Sequence, residues 1–116
     1  MKSKQINIPE RLIQKSILQF LAANRIFVFR VNTMGVYDPM FKGYRRHSAF
    51  SIRGVADILG IMPGGRFLAV EVKAAKGRQG PDQKHFEELV KRAGGIYVLA
   101  RSIDDVRFLV DEARSA

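Results

Sequence analysis

The stretch Gly54-Val55-Ala56-Asp57-Ile58-Leu59-Gly60-Ile61-Met62-Pro63-Gly64-Gly65-Arg66-Phe67-Leu68-Ala69-Val70-Glu71-Val72-Lys73 decides how this chain is read. Both ends are apolar and rich in β-branched residues, and the middle is a strong turn signal. Residues 55–73 are therefore expected to fold back as a β-hairpin. An antiparallel register centred on residue 64 pairs 57 with 71 and 61 with 67, so Asp57 faces Glu71. Side chains two apart in a strand share a face, which makes Glu71 and Lys73 project together. One hairpin thus gathers two carboxylates and one ammonium, with Asp57 set inside an otherwise apolar strand.

Outward from the hairpin, helical and extended patterns alternate. Pro9 stands at a first helical position, and Leu12, Ile13, Ile17, Phe20 and Leu21 follow at helical spacing, so 9–23 reads as an amphipathic helix. Residues 26–31 read as a strand. Residues 32–53 hold Gly35, Pro39 and Gly43 among bases and aromatics with no period, and are expected to form a basic loop. Residues 76–80 form a second basic, glycine-containing loop. Pro81-Asp82 opens a helix with an apolar stripe at Phe86, Leu89, Val90 and Ala93, and Gly94-Gly95 ends it. Residues 96–100 are a short strand joined through that helix by a right-handed crossover. Ser102 is a candidate N-cap for a last helix that turns Val106, Leu109 and Val110 inward. The order α-β-β-β-α-β-α implies an α/β fold, a central mixed sheet flanked by helices.

Composition narrows the function. The chain has 116 residues, enough for one domain spanning 1–116. It has no Cys, which excludes a disulfide scaffold, a cysteine-based zinc finger and a cysteine nucleophile; two His argue against a histidine-rich zinc site. No apolar run approaches the roughly 18 residues of a membrane span. The polar, basic N-terminus lacks a signal-peptide core, so a soluble cytoplasmic protein is expected. The net charge is +9, and no acid lies between Asp38 and Asp57, where Lys42, Arg45, Arg46 and Arg53 fall. Such a surplus favours a polyanionic partner, nucleic acid before membrane surface.

Two carboxylates a few ångström apart repel unless a cation lies between them. Hard oxygen ligands with room for water suit Mg²⁺ or Mn²⁺, and the Val72 carbonyl between the side chains can add a ligand. An ion there would polarise a phosphodiester, with Lys73 orienting water or stabilising developing charge. The plainer reading is an ion pair between Lys73 and either acid on an exposed sheet face. The acid in the apolar strand and the basic loops on both sides favour the metal.

Asp57…Glu71-Val72-Lys73 resembles the core of the PD-(D/E)XK nuclease superfamily, with Ala56 where its proline often stands. A longer ordered set resembles the VRR-NUC family. It comprises Glu10 and Gln14, Gly54 to Leu59, Gly65 to Lys73, Gly77-Arg78 with Pro81 and Gln83, Gly94-Gly95, and Ser102 with Asp105. The resemblance implies a restriction-endonuclease-like core with Asp57 and Glu71 as metal ligands beside the Val72 carbonyl. It implies Lys73 as the catalytic lysine, Glu10 as a further acid acting through water, and Gln83 as an accessory site residue. It also implies a homodimer that cuts branched DNA such as a four-way junction. A flap or fork repair nuclease and a non-catalytic nucleic-acid-binding module are the alternatives. Lys42, Arg45, Arg46, Arg53, Lys76, Arg78 and Lys84 are the candidate phosphate contacts, and nothing resembles a base-reading helix.

Overall fold

The computed structural model describes residues 7–31, 36–38, 43–45 and 52–116. In chain order its elements are α1 (Glu10–Ala23), β1 (Phe27–Arg30), β2 (Val36–Asp38), β3 (Gly43–Arg45), β4 (Ile58–Ile61), β5 (Phe67–Val72), α2 (Pro81–Arg92) and β6 (Ile96–Ala100). A 3-10 turn (Ile103–Val106) then leads into α3 (Arg107–Ser115). The fold is α/β, with a four-stranded mixed sheet ordered β1-β4-β5-β6.

The hairpin sets the sheet. Gly64 and Gly65 both adopt positive φ, the backbone region glycine enters without a Cβ clash. β4 and β5 then pair antiparallel, Ile58 with Val70 and Ile61 with Phe67, in the register that a turn centred on residue 64 requires. β1 adds antiparallel to β4, and β6 adds parallel to β5 after the α2 crossover. Alternate residues of β5 supply two different layers. Leu68, Val70 and Val72 join Ile13, Ile17 and Leu21 of α1, with Val106, Leu109 and Val110 from the C-terminal turn and helix. Ala69 lies on the opposite face with Ala56, Tyr97, and Phe86 and Val90 of α2. At the far end of that second face, Phe27, Ile61 and Phe67 form a cross-strand row and remain 62%, 47% and 40% exposed.

Four local expectations are corrected. Strand β4 begins at Ile58, so Asp57 lies just before it rather than inside it. Within 32–53, β2 and β3 pair antiparallel, Val36 with Arg45 and Asp38 with Gly43; three-residue strands are too short to display a period. Pro9 is the N-cap of α1 rather than its first helical residue, because its ψ of 141° is extended. Ser102 precedes a 3-10 turn and makes no side-chain cap; the Arg101 amide donates instead to Asp105 Oδ2 at 2.8 Å. Among the described residues, no helix is long and apolar enough to cross a membrane.

Candidate active site

The departure of Asp57 from the strand is what exposes its carboxylate to use. The Met62 amide donates to the Arg66 carbonyl at 2.8 Å. In an antiparallel ladder such bonded pairs recur every second residue. Continued along β4 and β5, that alternation would give the Val72 amide to the Ala56 carbonyl. The amide donates instead to Asp57 Oδ2 at 2.9 Å. The Asp57 side chain therefore terminates the β4–β5 ladder, while the Asp57 carbonyl still accepts the Val31 amide at 2.8 Å on the β1 side. Asp57 is fixed on both flanks.

Glu71 is 1% exposed, on the face of β5 that α2 covers. Its Oε1 accepts a hydrogen bond from Gln83 Nε2 at 3.0 Å and lies 3.6 Å from Lys73 Nζ. Its Oε2 is buried with no hydrogen-bond partner. Burial, then the neighbouring Asp57 carboxylate, push the Glu71 carboxyl up to about 8, against the opposing pull of the Lys73 ammonium. A buried acceptor without a donor is costly, and in the metal-free protein a proton held between Glu71 and Asp57 relieves that cost until the carboxyl ionises. An orphaned acid oxygen beside a second carboxylate is a donor set that fits a hard divalent cation.

Gln83 links this pair to the helix above. It lies in the first turn of α2, and its Oε1 accepts the Gly80 amide at 2.9 Å while its Nε2 holds Glu71. With the amide so oriented, Gln83 holds Glu71 through Oε1, and Oε2 takes no donor from α2. Gly54 has φ +76° and sits against the same helix end; a Cβ there would lie 2.3 Å from the Asp82 carbonyl carbon. This close approach holds the Asp57 segment under α2.

The structure thus brings together Asp57, Glu71, Lys73 and Gln83, with Val72 between the acids. Val72 buries its own side chain in the α1 layer. Glu10 opens α1 and is exposed. Among the described residues, no three acid, histidine or cysteine side chains converge as a metal-binding group, so Glu10 is not gathered with Asp57 and Glu71. Arg53, Lys76, Arg78 and Lys84 are exposed on segments flanking the site. Arg45 belongs to β3, whereas Lys42 and Arg46 lie outside the described residues.

The raised Glu71 carboxyl makes metal-free stability pH-dependent. Unfolded, a glutamate releases its proton near the ordinary 4.5; folded, this one holds it to about 8. Between those values the native state binds more protons than the unfolded state, so stability falls as pH rises across that window and levels off above it. The expected loss is on the order of 3 kcal/mol. Urea melts of the metal-free protein from pH 5 to 9 measure it; stability that rises over that range would contradict the burial of a charged Glu71.

Comparison with protein-family models, with curated proteins and with solved structures found no match.

Proposed function

We propose that this chain is a divalent-metal-dependent, structure-selective DNA endonuclease, built on a PD-(D/E)XK core of the VRR-NUC type and working as a homodimer on four-way junctions. The observation that carries this reading is the orphaned Glu71 Oε2 beside Asp57, with the Lys73 ammonium 3.6 Å from the other Glu71 oxygen. Asp57, Glu71 and the Val72 carbonyl would hold Mg²⁺ or Mn²⁺, with water completing the shell. When bound, such an ion lowers the pKa of water and polarises a phosphodiester.

The remaining work falls to the chain's own residues. Lys73 supplies a fixed positive charge where a scissile phosphate gathers negative charge. Gln83 keeps Glu71 in one rotamer, so the ligand oxygen is preorganised. Arg53, Lys76, Arg78 and Lys84, with Lys42, Arg45 and Arg46, bind flanking phosphates, which makes affinity fall steeply with salt. A buried acid next to an acid is a poor way to build a purely structural ion pair, because the second carboxylate opposes the first. Two copies are needed for paired cuts in a symmetric junction. The exposed row Phe27, Ile61 and Phe67 supplies apolar surface for that self-association.

The test is cleavage of labelled four-way junction, flap, splayed-arm and linear duplex DNA with Mg²⁺ or Mn²⁺. Wild type should nick junctions in symmetric pairs. Asp57→Ala and Lys73→Ala should each lose at least about 10²-fold in rate while retaining DNA binding. Undiminished cleavage by both variants would overturn the assignment. Cleavage of flaps alone would make the chain a repair nuclease, and salt-sensitive binding with no cleavage would make it a binding module.

A further inference from the structure

The segment between β5 and α2 is tied to β6 at both ends. At the near end, the Lys73 amide donates to the Ala100 carbonyl at 3.0 Å. The next residue, Arg101, returns across the same gap: its Nη1 donates to the Ala74 carbonyl at 2.6 Å and to the Ala75 carbonyl at 3.3 Å. Asp105 fixes Arg101 in turn by accepting its backbone amide. At the far end, Gln79 Nε2 donates to Tyr97 Oη at 2.8 Å.

Between these ties the chain folds over Lys73. The Ala74 carbonyl also accepts the Gly77 amide at 2.9 Å, closing a turn. That turn lays Gly77 along the lysine stem, so close that a Cβ on Gly77 would lie 3.3 Å from both Cβ and Cδ of Lys73. The Lys73 side chain is only 12% exposed as a result. A free lysine samples many rotamers, and confining it costs side-chain entropy. Here the turn supplies a wall on one side and Glu71 an anchor at the tip.

We propose that Arg101 is the positioning residue for Lys73, acting through the 74–77 turn to hold the ammonium against Glu71. Its use in catalysis rests on Lys73 serving the cleavage reaction proposed above. The guanidinium is engaged by two carbonyls, which distinguishes its role from that of Lys76 and Arg78 on the same segment. Those two are exposed and free to meet phosphates. A phosphate contact would act on KM and on salt dependence; a residue that sets the angle of Lys73 acts on kcat.

The experiment combines two readouts on the full-length protein. The first is the rate at which acetic anhydride modifies Lys73, followed by peptide mass spectrometry with Lys84 and Lys91 as internal references. Arg101→Ala should speed Lys73 modification roughly tenfold, as expected for loss of charged hydrogen bonds, with the reference lysines unchanged. Gly77→Ala should do the same with Arg101 intact, and Arg101→Lys should recover part of the protection. The second readout is steady-state cleavage, where Arg101→Ala should lower kcat by about 10²-fold at unchanged KM. Unchanged Lys73 modification in Arg101→Ala, or a raised KM with kcat intact, would overturn the proposal. If the wild type cuts no DNA, the nuclease reading falls and the modification rates alone decide the role of Arg101.

Discussion

Glu71→Gln is expected to yield a protein that is more stable without metal and no longer binds it. In the metal-free wild type, a carboxyl 1% exposed keeps one oxygen without a donor and sits beside a second acid. Above its pKa of about 8 the native state must hold that charge. The neutral amide removes the charge. Its carbonyl oxygen can still accept from Gln83, and its NH₂ can turn to the Asp57 carboxylate. At pH 8 the gain should be on the order of 3 kcal/mol, and the decline in stability between pH 5 and 8 should vanish. Mn²⁺ titrated calorimetrically into the variant should give no heat, and cleavage should be lost. Asp57→Asn separates the two effects. An asparagine oxygen can still accept the Val72 amide and terminate the ladder, while loss of the second carboxylate relieves only part of the Glu71 shift, so stability at pH 8 should rise by less than in Glu71→Gln while metal binding falls. A Glu71→Gln protein less stable than wild type at pH 8 would mean the buried oxygen has a donor after all. Unaltered Mn²⁺ affinity would remove Glu71 from the ligand set.

Much of this arrangement is legible in the chain because it is local. Pro63-Gly64-Gly65 with apolar runs on both sides fixes a hairpin, and a hairpin about residue 64 has one register. Pro81 and Gly94 bracket α2 by the chemistry of helix ends. What the chain hides is decided between elements. Asp57 ends the ladder rather than sitting in it because its side chain competes with the Ala56 carbonyl for the Val72 amide, a contest with no sequence signature. Gln83 stands three residues after the N-cap Gly80, a capping position that says nothing of Glu71; the family resemblance singles it out, and only the placement of α2 over β5 brings the two together. Arg101 falls outside every motif. Its position follows from parallel pairing of Val72 with Ala100, which leaves the residues after both strands side by side. Glu10 is readable as a first-turn acid, yet a helix start says nothing of what it faces.

Gly54→Ala is expected to damage both fold and site, and Gly64→Ala to do neither to the same degree. Both residues have positive φ, +76° and +98°, so each substitution carries the left-handed strain of about 1–2 kcal/mol. They differ in surroundings. A Cβ at Gly64 meets nothing within 4 Å. At Gly54 it would lie 2.3 Å from the carbonyl carbon and oxygen of Asp82 and 2.6 Å from the Gln83 nitrogen. These are backbone atoms of a helix's first turn and cannot swing aside as a flexible side chain would. Either the start of α2 lifts or the segment leading to Asp57 drops. The first movement draws Gln83 from Glu71, and the second draws Asp57 from the Val72 amide, so each dismantles one half of the site. Overpacking of this kind adds about 1–3 kcal/mol to the strain. The melting temperature of Gly54→Ala should fall by roughly 10 °C or more, and cleavage at temperatures where the protein stays folded should drop about 10²-fold. Gly64→Ala should lose only the strain and cut at the wild-type rate. If the two variants melt and cut alike, the close seat of Gly54 under α2 is not what holds the carboxylates in place.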